Sequence, residues 1–335
     1  MDSTAADTSA PRPSLLGRIA SAPRPYLYGS LAGMGAYLLL MGLTLGNRPE
    51  QFLLCALMFL LAVWSEGTRR FFAGMLPFLL FGIIYDLTHL TEPLVRYLHV
   101  HVAEPYRFDK LFFGIPVDGA RLTPNELFDR FHWPAVDLVT GSAYILYLYW
   151  SLGFAAFLLL AKRKDDRIQR LARRFGWTFL FVNLAGFATY YVYPSAPPWY
   201  VTQYGLGPAN MAAQASAAAA ARWDALTGFG YFAAFYGRSA DVFGAIPSLH
   251  VSYPLFVFLY GRHLGKRWLD WTSLLFFLLV CFSAVYLQHH YVLDVLLGIA
   301  YTLVGVGLER ALAAAGERRG AAAPTGEPPL AARSE

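Results

Sequence analysis

The sequence is poor in charged residues. Asp, Glu, Lys and Arg make up only 15% of its 335 residues, whereas about a quarter of an ordinary soluble chain is charged. Hydrophobic residues reach 56% and are gathered into long blocks. This pattern excludes a soluble globular domain as the main body of the chain and predicts an integral membrane protein.

Cysteine is also scarce, and we expect no cleavable leader. Cys55 and Cys281 each lie within an apolar block, which argues against a disulfide framework. Residues 1–25 contain no short apolar core followed by a cleavage site, so we expect the first span to act as a signal anchor. The net charge of +5 is spread over several loops, and we predict no nucleic-acid partner.

The apolar blocks predict an all-α, polytopic transmembrane helix bundle. A hydrocarbon core about 30 Å thick requires roughly 20 apolar residues per helix, and eight blocks approach that length. They cover residues 26–46, 51–65, 71–88, 136–161, 175–193, 249–262, 270–287 and 290–312. The second and sixth blocks are short for a full crossing, so six or seven spans remain alternatives.

The spans and the segments around them define the domain organisation. We predict one transmembrane domain, residues 26–315, between a disordered N-terminus, 1–25, and a disordered tail, 316–335. Basic residues favour the cytoplasmic side of a membrane. Placing both termini in the cytoplasm puts the densest basic run, 162–174, on that side as well. The external loops are then residues 89–135 and 194–248.

A capping box in the first external loop predicts a short helix. Thr123-Pro124-Asn125-Glu126 combines a hydroxyl cap, a proline at the first helical position and a glutamate at the third. This spacing is typical of a helix start. We therefore expect an interfacial helix to begin there.

The last predicted span opens with ionisable residues in the sequence YLQHHYVLD. His290 and Asp294 are four residues apart, so on a helix they share one face and the carboxylate can orient the imidazole. Such a pair also occurs on ordinary helices as a satisfied polar contact. His289 lies about 100° further around the helix, and we interpret it as a neighbour that contacts lipid headgroups.

A second histidine precedes another span at the same side of the membrane. GAIPSLH places Pro247 and Ser248 at a predicted helix start, directly before His250. Backbone amides at a helix N-terminus bind anions readily. A phosphate held there would lie beside His250.

These motifs together resemble those of a known enzyme family. Pro247–His250 and His290–Asp294 are similar to the second and third signature motifs of the type 2 phosphatidic acid phosphatase superfamily. With SAPPWY at 195–200, they resemble more narrowly the branch that contains inositol phosphorylceramide synthase, with sphingomyelin synthases as more distant relatives. The resemblance is strongest between about residues 185 and 300.

The resemblance implies a six-helix catalytic core with its active site at the external membrane boundary. It implies His290 as the nucleophile, Asp294 as its orienting partner and His250 as the proton donor and acceptor. An imidazole can attack phosphorus to form a phosphohistidine, and such a mechanism requires no cofactor. Because the external His and carboxylate residues do not suggest a compact ligand set, we also predict no metal.

The sequence departs from the superfamily pattern at its arginines. Hydrolytic members carry an arginine six residues before the nucleophilic histidine, where this chain has Ala284, and their first motif of Lys and Arg-Pro is absent. The external cations available to replace them are Arg238, Arg222, Lys110, Arg107 and Arg96. Each of these is also interpretable as a surface charge. The predicted substrate-binding residues are Ser248, Arg238, Lys110, His289, Tyr193, Pro197, Trp199 and Asp86. For the run from Pro197 to Tyr200, the alternative is that its prolines end the fifth span and that Trp199 and Tyr200 form an interfacial belt.

The predicted function is transfer of a phospho-headgroup from a glycerophospholipid to a lipid or glycan alcohol. A lipid phosphate or polyprenyl diphosphate phosphatase, with water as acceptor, is an alternative that uses the same three residues. A second alternative is a non-catalytic membrane protein whose histidines bind lipid or haem. The Ala, Arg and Gly content favours a bacterial chain and hence the inner (plasma) membrane; no sequence feature identifies a protein partner.

Overall fold

The computed structural model describes residues 14–161, 165–239 and 242–322, and these are mainly helical. The helices are α1 (Leu15–Ser21), α2 (Arg24–Thr44), α3 (Pro49–Trp64), α4 (Glu66–Thr91), α5 (Ala103–Phe112), α6 (Pro124–Arg130), α7 (Pro134–Ala161), α8 (Asp166–Val192), α9 (Pro198–Tyr204), α10 (Ala221–Thr227), α11 (Tyr231–Tyr236), α12 (Leu249–Gly261), α13 (Arg267–Tyr286) and α14 (Val292–Ala322). Short 3₁₀ segments cover Glu92–Tyr97, Ala218–Ala220 and Arg262–Leu264.

Six helices in the described ranges are long and apolar enough to cross a membrane. They are α2, α4 with its 3₁₀ extension to Tyr97, α7, α8, α13 and α14 as far as Gly316. The prediction of a polytopic all-α bundle is therefore confirmed. Each of the eight predicted spans corresponds to a helix, but α3 with 16 residues and α12 with 13 are the short ones, as the sequence indicated.

Both ends of the described chain are more helical than the sequence predicts. Helix α1 lies inside the segment 1–25, because the Ser14 hydroxyl accepts a hydrogen bond from the Gly17 amide at 3.2 Å and caps the first turn. Helix α14 continues to Ala322, into the predicted tail, because its alanine-rich sequence has high helix propensity. The remaining parts of the two predicted segments, 1–13 and 323–335, lie outside the described residues.

The first external loop contains the predicted capped helix and a small hairpin. The Thr123 hydroxyl accepts the Glu126 amide at 3.2 Å, and the Glu126 carboxylate accepts the Thr123 amide at 2.7 Å, which confirms the capping box at α6. Strands β1 (Ile115–Val117) and β2 (Ala120–Leu122) pair antiparallel. Their two-residue turn, Asp118-Gly119, has positive φ at both positions, as tight hairpins require.

Helix α12 forms the centre of the bundle. It packs against α7, α8, α13 and α14, and ten of its thirteen residues are buried, as expected of a helix that is apolar on all sides. Gly298 in α14 permits the closest approach, since a Cβ there would lie 2.1 Å from the Ser248 carbonyl oxygen. The first turns of α12 and α14 are thereby brought side by side.

Candidate active site

Two imidazoles from distant parts of the chain meet where the first turn of α12 lies beside the turn that precedes α14. Nδ1 of His250 lies 2.9 Å from Nε2 of His290, and the two ring centroids are 5.0 Å apart. The other nitrogen of His290, Nδ1, lies 2.9 Å from the Ala245 carbonyl oxygen. Since a carbonyl can only accept, His290 carries its proton on Nδ1, and its Nε2 presents a lone pair toward His250.

Asp294 lies beside the Nδ1 of His290 as the sequence predicts, but this nitrogen has a closer acceptor in the Ala245 carbonyl. The Asp294 Oδ2 atom accepts the Tyr291 amide at 2.9 Å and lies 3.4 Å from His290 Nδ1, whose hydrogen bond goes to Ala245. The reason is that α14 begins at Val292, so His290 belongs to the preceding turn and not to the helix. Asp294 is fully buried beside the ring, where its charge can stabilise an imidazolium.

The turn that carries His290 is held by Asn125, which the sequence analysis assigned only to a helix start. The Asn125 side chain, 2% exposed, donates to the carbonyl oxygens of Val285 at 2.8 Å and His290 at 3.0 Å. Gln288 in turn donates to the Asn125 backbone carbonyl at 2.6 Å. Helix α6 therefore positions the nucleophile candidate through one amide.

A second residue without a sequence signal, Asp109, supports the start of α14. Its buried carboxylate accepts the amides of Val292 at 2.7 Å and Leu293 at 3.0 Å. Burial raises the pKa of Asp109 to about 6, with Asp294 adding to the rise and the two amides opposing it. Helix α5 thus caps the helix that follows the histidine turn.

His289 is buried in an aromatic stack. Its ring lies between Tyr144 and Tyr236, with centroid distances of 5.3 and 4.5 Å and interplanar angles of 7° and 10°. Tyr144 also stacks on His250. Burial, together with the neighbouring His290, lowers the pKa of His289 to about 3, so the ring is neutral. Its buried Nε2 has no hydrogen-bond partner among the described residues.

A cavity of about 210 Å³ lies against the histidine pair. Its wall contains His250, His289 and His290 together with the predicted residues Pro197 and Trp199. The other described lining residues are aromatic, aliphatic, glycine or serine, and none is Lys, Arg, Asp or Glu. Ser248 is buried next to His250, and its hydroxyl has no partner in the described part of the chain.

Arg238 and Asp86 face a different, larger cavity of about 870 Å³. The Arg238 side chain is 70% exposed and lies 3.5 Å from Glu50, while Asp86 accepts hydrogen bonds from Tyr37 at 2.6 Å and Gln51 at 3.2 Å. Neither residue lines the histidine cavity. The two cavities adjoin, because Tyr85, Phe235 and Ser239 line both.

Three more of the predicted residues have other partners. Lys110 donates to the Tyr106 hydroxyl at 2.5 Å, and Tyr193 stacks on His101 with ring centroids 3.7 Å apart; neither lines the histidine cavity. Arg222, one of the external cations considered for the phosphate, donates to Asp137 at 2.8 Å. The placement of Lys110 and Arg222 follows from nearby acceptors that the sequence alone does not reveal.

The expectation that external His and carboxylate residues form no compact ligand set is wrong for one group. His99, His101 and Glu104 have ligand atoms that all lie within 4.8 Å of one another. They are brought together because the chain bends between the 3₁₀ segment at Glu92–Tyr97 and α5. None of the three lines the histidine cavity.

The region that contains the two histidines is similar to known proteins. A family model of the PAP2 superfamily matches residues 129–308, more than half of the chain and the part that contains both histidine turns. The chain belongs to the PAP2 superfamily. It is a membrane enzyme of that superfamily, and the resemblance stated from its motifs is confirmed.

Three curated proteins are similar to this chain in sequence. The chain is 38% identical over 276 residues to a Bacteroides thetaiotaomicron protein named phosphoinositol dihydroceramide synthase, covering 81% of this chain and 87% of that protein. It is 30% identical over 169 residues to the catalytic subunit of inositol phosphorylceramide synthase from Schizosaccharomyces pombe, covering 50% and 39%. Inositol phosphorylceramide synthase from Candida albicans is 34% identical over 135 residues, covering 39% and 28%. The chain thus spans well under half the length of these fungal relatives. No solved structure matches it.

Proposed function

We propose that this enzyme transfers a phospho-headgroup from a glycerophospholipid to the hydroxyl of a ceramide-like lipid through a phosphohistidine on His290. The observation that carries the proposal is the contact of 2.9 Å between His250 Nδ1 and His290 Nε2 beside a cavity with an uncharged wall. The names of the relatives support a phosphoinositol headgroup as the transferred unit.

In the first step His290 Nε2 gives up its contact with His250 Nδ1 and forms a bond with phosphorus, while the bond from phosphorus to the diacylglycerol oxygen breaks. The anionic phosphodiester stabilises a second proton on His250, and this imidazolium gives that proton to the departing oxygen. As His290 becomes cationic in the phosphohistidine, the buried Asp294 carboxylate at 3.4 Å and the Ala245 carbonyl hold its Nδ1 proton.

The second step reverses the roles of the two histidines. The acceptor hydroxyl oxygen attacks phosphorus while His250, now neutral, takes its proton. The bond between phosphorus and His290 Nε2 breaks, which returns both imidazoles to their starting state. One difficult displacement is divided into two easier ones.

Neutral donors replace the arginines of the superfamily in this proposal. The Ser248 hydroxyl and His289 Nε2 are both buried without partners among the described residues, and the first turn of α12 has no side-chain cap. The free amides of this turn and the Ser248 hydroxyl are suited to hydrogen-bond the phosphoryl oxygens. Arg238 and Lys110 have no part in this arrangement.

The cavity of about 870 Å³ is the proposed site of the acceptor lipid. Its size lies within the range of ligand pockets, and its wall combines apolar residues with Asp86, His89, Arg48 and Arg238. Because it shares Tyr85, Phe235 and Ser239 with the histidine cavity, an acceptor there can reach the phosphohistidine. The charge distribution of the loops favours placing this side of the bundle at the non-cytoplasmic face of a bacterial inner membrane.

The decisive experiment follows a labelled phospholipid donor with and without ceramide. We expect label in a new phospholipid only with ceramide, and a loss of at least about 10³-fold in turnover for His290→Ala. The matched control is His132→Ala, an exposed histidine of the external loop, which should retain wild-type turnover. Release of free headgroup phosphate without ceramide would instead assign the phosphatase alternative.

The stereochemical course tests the intermediate directly. A donor with a chiral phosphorothioate at the reacting phosphorus should give a product with retained configuration, because two successive displacements each invert it. Inversion would mean a single direct transfer and would exclude the phosphohistidine. Unchanged turnover in His290→Ala would overturn the whole assignment.

A further inference from the structure

The cluster of His99, His101 and Glu104 lies on the same side of the bundle as the histidine pair but outside its cavity. The Glu104 Oε1 atom is 3.3 Å from His101 Nδ1 and 3.8 Å from His99 Nε2. The two imidazole rings meet edge to face with centroids 4.7 Å apart. Three ligand atoms therefore converge on one small volume.

Their spacing suits a tetrahedral cation. Bonds of about 2.1 Å from a zinc ion to His nitrogen and carboxylate oxygen place two ligand atoms roughly 3.4 Å apart. The separations of 3.3 and 3.8 Å bracket that value, and the third is within 4.8 Å. A small rotation of the exposed His99 side chain would close the third edge.

His101 supplies an independent observation. Its Nδ1 is buried and has no hydrogen-bond partner among the described residues, even though Glu104 Oε1 is only 3.3 Å away. A buried imidazole nitrogen without a partner is costly. The ring cannot easily turn to find another, because it is stacked at 7° on Tyr193. A cation between the two atoms would satisfy both.

Ion pairs alone account poorly for this arrangement. For both rings to pair with Glu104 as ions, both must be protonated, and two cationic rings in contact repel each other. Two neutral imidazoles and one carboxylate around a divalent cation have no such repulsion. Zinc sites with three protein ligands keep a fourth position for water.

We propose that His99, His101 and Glu104 bind one divalent transition-metal ion of the zinc class, which fixes the turn between the 3₁₀ segment at Glu92–Tyr97 and α5. This turn lies beside the segment before α9. The backbone of His101 already pairs with this segment, donating to the Pro194 carbonyl at 2.8 Å and accepting the Ala196 amide at 3.0 Å. Ser195 continues the ladder to Phe243. The metal takes no part in phosphoryl transfer, and the proposal is independent of the proposed function.

The test uses the full chain purified in detergent without a histidine tag and stripped with chelator. Zn²⁺ alone is titrated by calorimetry, and bound zinc is counted by mass spectrometry after dialysis. We expect one zinc ion per wild-type chain and affinity at least about tenfold weaker in His99→Ala and in Glu104→Gln. His99 is 77% exposed, so its replacement should not impair folding. His132→Ala is the control for adventitious binding to a surface histidine.

Two further readouts complete the test. Co²⁺ in place of Zn²⁺ should give tetrahedral visible absorption in the wild type that is lost in His99→Ala. Zn²⁺ should raise the Tm of the wild type and of His132→Ala but not of His99→Ala, because a ligand bound only to the folded state stabilises it. Equal zinc content in the wild type and His99→Ala, or no binding at micromolar Zn²⁺, would overturn the proposal.

Discussion

The contact between Asn125 and the histidine turn permits a quantitative test of how this site is positioned. Asn125→Ala removes the side-chain donor to the carbonyl oxygens of Val285 and His290. The Val285 carbonyl keeps the Gln288 amide at 3.1 Å, whereas the structure describes no other donor to the His290 carbonyl. The bond from Gln288 is retained, since its acceptor is the Asn125 backbone carbonyl. The substitution therefore perturbs the position of His290 and leaves its chemistry intact.

The expected magnitude follows from one acceptor, the His290 carbonyl oxygen, that loses its described donor. Such a loss costs about 1–3 kcal/mol, and Asn125 is too deeply buried, at 2% exposure, for water to replace the amide readily. About 1–3 kcal/mol corresponds to a loss of roughly 5- to 150-fold in kcat/KM if the whole effect appears in the transition state.

The assay measures kcat and KM separately for transfer from labelled donor to ceramide, together with Tm in detergent. We expect the loss in kcat, with KM within a few-fold of the wild type, because the cavity wall is unchanged. Asn125→Asp should be at least as impaired, since its carboxylate faces two carbonyl oxygens with nothing to donate. The control is Asn210→Ala in an exposed loop. A wild-type kcat in Asn125→Ala would refute the positioning role.

Three further substitutions test the surroundings of the site. Gly298→Ala places a Cβ 2.1 Å from the Ser248 carbonyl oxygen, so it should lower the free energy of unfolding by about 1–3 kcal/mol and lower the Tm. The control, Gly307→Ala, has open space around its Cβ and should keep the wild-type Tm. Equal Tm values for the two variants would contradict the close approach. Arg222→Leu leaves the buried Asp137 without its cation and should lower the free energy of unfolding by about 3–5 kcal/mol. Adding Asp137→Asn should recover part of this loss. An unchanged Tm in Arg222→Leu would contradict the prediction. Burial raises the pKa of Asp109 to about 6, so the free energy of unfolding of the wild type should fall by up to about 3 kcal/mol as the pH rises from 4 through 6. Asp109→Asn should lack this pH dependence. Parallel curves of Tm against pH for the two proteins would refute the prediction.

The bundle was predictable because length and apolar character suffice to mark a transmembrane helix. All eight blocks became helices for that reason, and Thr123 and Glu126 predicted the start of α6 through contacts three residues apart. The meeting of His250 and His290 came from the family resemblance of their motifs, since no periodicity relates residues 40 positions apart.

The supporting contacts were not predictable, because they join side chains to distant backbone groups. Asn125 is 165 residues from His290 and Asp109 is 183 from Val292, and neither stands in a pattern that indicates a partner. The predicted hydrogen bond between His290 and Asp294 assumed a helix at both residues. The turn before α14 instead gives the imidazole proton to Ala245.

The uncharged wall of the histidine cavity has a consequence for how the enzyme responds to its medium. Arginine side chains attract an anionic headgroup by long-range electrostatic interaction, which dissolved salt screens. Hydrogen bonds from a hydroxyl and helix amides act only at short range and are much less sensitive to ionic strength. We expect KM for the anionic donor to remain nearly constant from dilute buffer to molar sodium chloride, a tolerance that an arginine-lined relative would lack.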